Sequence, residues 1–342
     1  MTQTPAQRRL ILAYRAELQR MEPSMRRAYA RAWHWLTEQM TTEVMVARLD
    51  AGMPLTDLIP QSILDRAFAP VQAQLREAQR AGVQIGARQL PTRGLDLGIS
   101  FNTLSPRVLE GIRTLDARIL SGAKAEVRET LRQFVEAGIT EGKGSRAIAR
   151  TMREVVGLAP SHEEHIRNYR RKLEKVGQRK LGGARSPSAL ENVLRDKRTD
   201  AKVRRAARDG IPLTPEYITK QVQHYTRKYI AWHAETVART ATLDAFRTGQ
   251  ASAMESAMER GYITPSETQK IWTTVGDSRV RPEHVGMNGE RVPYTQPFSN
   301  GLMVPNEWNC RCLVTYDIRP AGSRTREQAV AIMRERGSLA PV

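Results

Sequence analysis

The chain has 342 residues, a formal charge of +18 and an isoelectric point near 10.4, with 6% aromatic and 26% charged residues. That length can bury a large core or hold two to three domains, but so few aromatics favour a helix-rich, extended protein with modest cores, and the charge excess attracts polyanions: nucleic acid, anionic membrane or an acidic protein. The N-terminus, MTQTPAQRRLILAYRAELQRM, holds no signal-peptide run, and no stretch approaches the roughly 18 apolar residues of a membrane span, so a soluble protein made in the cytoplasm with no membrane partner is expected.

Residues 1–104 read as a helical N-terminal region with a linker arm. Leu10, Ile11, Tyr14, Leu18 and Met21 recur at the spacing of one helical face, which Pro23 is expected to interrupt. A second helix is expected over Met25–Ala51, with Tyr29, Trp33, Leu36 and Met40 on one side. A third is expected over Ser62–Ala81, with Ile63, Phe68, Val71 and Leu75. His34, beside Trp33 and Trp35, reads as an interface or partly buried residue rather than a ligand. Periodicity then lapses from 82 to 104. Glycines 82, 86, 94 and 98 with Pro91 suggest a long loop, or an arm laid across a neighbouring subunit.

A second helical region is expected over 105–261. Ser105-Pro106 has the form of a cap followed by a first-turn proline. Val108, Ile112, Leu115, Ile119, Leu120, Val127, Leu131, Phe134 and Val135 form its apolar stripe, with Gly138 expected to end the helix. Gly142-Lys143-Gly144-Ser145 lacks the first glycine of a P-loop and a preceding strand, so it reads as a connector, with Ser145 capping a helix that runs to Gly157. His162 and His165 stand three apart with no third ligand type beyond Glu163 and Glu164. From Thr214 a long helix is expected to about Gly261, with a bend at Gly249.

Between 167 and 208 stand fifteen basic and four acidic residues, +11 of the +18. Arg167, Arg170, Arg171, Lys172, Lys175, Arg179, Lys180, Arg198, Arg204 and Arg205 are the candidate DNA contacts. The Gly- and Ser-rich Gly177–Ser188 is expected to be flexible between flanking helices. Such a segment suits sequence-independent phosphate contact. Tyr169 alone interleaves with the charges, which disfavours base stacking. The competing reading is a solvated basic face docked on an acidic protein.

Residues 262–320 change character, with Gly, Pro and Asn every few positions. Short strands are expected over Lys270–Val275, Arg291–Tyr294 and Arg311–Ile318, with a turn at Asn288-Gly289. A small α+β module follows, and a terminal helix over Thr325–Arg336 in the 321–342 tail. His284, Cys310 and Cys312 are candidate ligands of a structural zinc, because residues two apart in a strand share a face; Asp277 is a candidate fourth ligand. The competing reading is two packed cysteines and a loop-fixing histidine. A catalytic reading would make His284 a general base with Asp277 as its partner and Arg279 or Arg281 as phosphate clamp.

The succession Trp272, Asp277-Ser278-Arg279-Val280-Arg281, His284, Asn288-Gly289, Pro305 and Asn309-Cys310-Arg311-Cys312 resembles the phage Mu F-like minor head proteins, also called head morphogenesis proteins. Ala238-Arg239-Thr240 resembles the helix preceding that module, although Ala241 stands where the family often has Glu. The resemblance covers about the last third of the chain. It implies a structural virion component of the phage head, not an enzyme, with portal protein, capsid or scaffold proteins and double-stranded DNA as partners. A nucleic-acid-binding accessory protein and a metal-dependent nuclease are the alternatives. Together these readings give a mainly α protein with a small α+β C-terminal module.

Overall fold

The computed structural model describes residues 5–90, 106–178, 186–259, 262–276, 280–305, 307 and 309–319. The expected arm beyond residue 90, the tail helix, Arg179, Lys180, Asp277 and Arg279 lie outside them. The helices are α1 (Pro5–Gln39), α2 (Thr42–Asp50), α3 (Gln61–Ala87), α4 (Pro106–Thr140), α5 (Ser145–Val155), α6 (Pro160–Glu174), α7 (Asp200–Asp209), α8 (Pro215–Glu259) and the short α9 (Pro282–Gly286). The strands are β1 (Thr268–Thr273), β2 (Arg291–Pro293) and β3 (Leu313–Ile318). The protein is thus mainly α, with a small α+β module. Among the described residues, no helix is long and apolar enough to cross a membrane.

Several boundaries differ from the sequence expectation. Pro23 does not interrupt α1. Its missing N–H removes one backbone hydrogen bond, but Met21, Met25 and Ala28 around it are all buried, and that packing holds the helix together. The break falls later, where Thr41 caps α2 by accepting from the Val44 N–H at 3.3 Å. Gly138 lies inside α4; the helix ends two residues on, and the left-handed turn is made by Gly142 at φ 70°. Ser145 is the first residue of α5 and not its cap; its hydroxyl donates to Asp50. His34 is exposed and paired with Glu38.

The chain divides into two compact units. One gathers residues 1–27, 71–119 and 237–342, the other 28–70 and 120–236. In the second unit, Trp33 stacks on His233 at 5.4 Å, and the His233 ring nitrogen Nδ1 bonds the Gly157 carbonyl at 2.8 Å. A further core joins α6, α7 and the first half of α8 through Tyr169, Leu173, Val203, Ala207, Val222 and Tyr225. Ala189 and Leu190, just past the segment expected to be flexible, belong to that core; residues 179–185 of that segment lie outside the described residues.

In the first unit, α3 and α8 pack closely. Gly82 and Gly86 are helical, contrary to the loop expected from residue 82, and Gly249, where a bend was expected, lies within α8. A Cβ at Gly82 would overlap the Phe246 carbonyl, one at Gly86 would lie 2.8 Å from the Ala253 Cβ, and one at Gly249 would overlap the Gln79 carbonyl. These glycines let two backbones approach. The sheet runs β2-β1-β3, both pairs antiparallel, with Trp272 opposite Val314. It is tied to α8 by Gln250, which donates to the Val314 carbonyl at 2.8 Å, and to the turn after α3 by the Tyr316 N–H, which donates to the Gln89 side chain at 2.9 Å.

Candidate metal centre and basic surface

Trp272 is fully buried at the centre of the C-terminal module. Its ring meets Phe298 and His284 edge-on, each at 5.1 Å. Met287, Cys310, Cys312 and Val314 complete this core. His284 comes from α9, which opens with Pro282 at its first position. The cysteines lie on the approach to β3. Asn309 precedes them with φ 57°, a left-handed conformation that asparagine tolerates. Residues of α8 hold it there: Arg239 donates to the Asn309 side chain at 2.7 Å, and the Asn309 N–H donates to the Thr240 hydroxyl at 3.0 Å.

His284, Cys310 and Cys312 are 2%, 3% and 0% exposed, and their ligand atoms all lie within 4.8 Å of one another. The His284 Nδ1 is 3.6 Å from each sulfur. Ligands at zinc distances of about 2.3 Å for sulfur and 2.0 Å for nitrogen, at the tetrahedral angle, are about 3.6 Å apart. The donor set therefore fits zinc in chemistry, and its two nitrogen–sulfur distances fit in spacing. The other ring nitrogen, Nε2, lies 2.6 Å from Glu307, which also accepts from Arg281 at 2.8 Å. A carboxylate behind the imidazole is the arrangement that orients metal-binding histidines. The Cys312 N–H donates to the Cys310 sulfur at 3.4 Å. Arg311, between the cysteines, lines a hollow of about 330 Å³ with Arg15, Gln19 and Glu22.

Their mutual hydrogen bond shifts the two thiols in opposite directions. A hydrogen bond from Cys312, then the nearby Arg247 guanidinium, pulls the Cys310 thiol down to about 5. The same bond and burial push Cys312 up. Arg247, buried on α8, donates to the carbonyls of both cysteines. This places fixed positive charge beside the sulfurs and satisfies two carbonyls that would otherwise be buried without partners.

Cys310, His284 and Glu307 stand in the order of nucleophile, base and orienting carboxylate. One ring nitrogen faces the sulfurs at 3.6 Å, the other faces Glu307 at 2.6 Å, and all three of Cys310, Cys312 and His284 are buried. Asp277 and Arg279, named for the nuclease and fourth-ligand readings, lie outside the described residues. Glu307, Arg247 and Asn309 were not singled out from sequence as site residues. The signal available was Arg and Gln recurring in an otherwise apolar stretch of α8, which marks a helix buried on more than one side.

Residues 197–315 match the family model for Phage Mu protein F like proteins. The chain carries a Mu F-like domain. The match begins at the short turn before α7 and runs into β3, so the domain includes α7 and α8 as well as the sheet. No match was found among curated proteins or among solved structures. Within the Mu F-like domain, Ala241 is buried on α8 beside the Arg239 and Thr240 that hold Asn309.

Five of the eight candidate DNA contacts among the described residues face a carboxylate. Arg167 pairs with Glu163, Lys172 with Glu191 at 3.5 Å and Arg198 with Asp196 at 2.9 Å. Arg204 lies 3.9 Å from Asp200, and Arg205 lies 3.4 Å from Asp209. Arg171 donates to Asn168 at 2.5 Å. Arg170 lines a hollow of about 490 Å³ together with Glu141, Lys143 and Glu163, and Lys175 is exposed. His162 and His165 do not converge on a metal site: His162 accepts from the Ala159 N–H at 3.0 Å, and His165 stacks on Tyr229.

Proposed function

We propose that the chain is a phage minor head protein acting in head morphogenesis, in contact with the portal protein, capsid or scaffold proteins and packaged double-stranded DNA. The observation that carries this reading is the Mu F-like match over 197–315, together with a module built around Trp272, His284 and the Cys-x-Cys run. The high positive charge fits a protein that works beside densely packed DNA.

The C-terminal module takes a structural zinc on His284, Cys310 and Cys312, with Glu307 holding the imidazole. The metal would supply cross-linking between α9 and the start of β3, where the apolar core is small. This reading includes no catalytic step. Deleting the gene in the phage or prophage that encodes the chain tests the head assignment. The expected result is aberrant or empty heads, restored by the gene in trans; normal, infectious particles without it would refute the assignment.

A further inference from the structure

We propose that the outer face of α5 is a contact surface for the phosphate backbone of duplex DNA. The proposal rests on the DNA-contact reading above and relocates it, away from the 167–208 segment. Arg146, Arg150 and Arg153 are exposed, while Ile148, Ala149, Met152 and Val155 on the same helix are buried. At 100° per residue the three arginines fall within an arc of about 60°, and at 1.5 Å per residue they span about 10 Å. One DNA strand presents a phosphate every 3.4 Å or so along its axis, so this row covers about three steps.

One feature distinguishes this row from the acid-paired basic residues of and around α6 and α7. Among the described residues, no carboxylate pairs with Arg146, Arg150 or Arg153; Glu154, the one acid within α5 itself, accepts from Gln223 at 3.4 Å. By contrast Arg167, Lys172, Arg198, Arg204 and Arg205 each lie against an acid of their own segment. A phosphate would have to displace those acids, whereas the α5 row meets it without that exchange. The row is also held rigidly, by four buried side chains on the opposite face and by Ser145 bound to Asp50 at the start of the helix. Arginine on a firm helix suits phosphate contact without base reading.

The test is fluorescence anisotropy of full-length protein on a random-sequence 30-bp duplex across a salt series, for wild type, R146Q/R150Q/R153Q and K175Q/R204Q/R205Q. All substituted residues are exposed, so unchanged thermal melts are expected and serve as the folding control. The α5 variant should bind at least tenfold more weakly, with a log K against log salt slope reduced by about 2 to 3, since each phosphate contact contributes about 0.9. The α6–α7 variant should change that slope by less than about 1. Loss confined to the α6–α7 variant would overturn the α5 assignment and leave DNA contact standing. No binding by wild type at low salt would overturn DNA contact itself and leave the row to an acidic protein partner.

Discussion

Gly249→Ala isolates the close packing of α3 against α8. In an exposed helix the change would stabilise by about 1 kcal/mol, because alanine is the better helix former. Here the new Cβ would overlap the Gln79 carbonyl and lie 3.0 Å from the Val83 nitrogen, both of them backbone. Backbone cannot rotate away as a side chain can, so the helices must separate and the buried Val83, Phe246 and Ala253 lose contact. Overpacking of this kind costs about 1–3 kcal/mol. Gly122→Ala is the matched control: Gly122 sits inside α4, exposed, with nothing within 4 Å of its added Cβ. Thermal melts followed by circular dichroism should show Gly249→Ala several degrees below wild type and Gly122→Ala at or slightly above it. A Gly249→Ala protein as stable as the Gly122→Ala protein would refute the packing argument.

Three further outcomes are expected. Trp272→Ala should destabilise the C-terminal module by about 3–5 kcal/mol, read as protease susceptibility after β1, since it empties the centre of a small core. Glu307→Gln should weaken metal binding about 10- to 100-fold in chelator competition while leaving the thiols in place, because it removes the charge behind His284. His162 is 7% exposed, and burial, then His233 and His165, holds it down to about 4. The unfolded chain therefore takes up this proton first. The neutral imidazole leaves stability whole above about pH 6.5, and stability falls as pH drops from there toward 4, by at most about 3 kcal/mol. His162→Gln should flatten that part of the melting profile; an unchanged profile would show that other groups set it.

The C-terminal strands were legible because β-branched runs and the Asn288-Gly289 turn fix them locally, and each expected strand overlaps an observed one closely. Helix ends were less legible. Pro23 and Gly138 are breakers by propensity, and buried partners elsewhere in the chain override them. Gly82, Gly86 and Gly249 have the composition of a loop or bend, and their purpose appears only when two helices are set side by side. The metal candidates were visible as a residue type at a spacing. Glu307 was not, because a lone acid in a turn is common and only its 2.6 Å approach to His284 singles it out. In the basic centre, charge alone gave no sign that local acids were already answering most of the arginines.

Native mass spectrometry of the purified full-length chain tests most directly whether the Mu F-like module is clamped by a metal. The account predicts the mass of one zinc on the wild-type protein, lost on acidification and missing from a Cys312→Ser variant that melts at lower temperature. A metal-free wild-type protein, expressed in zinc-replete medium and melting no differently from Cys312→Ser, would contradict it.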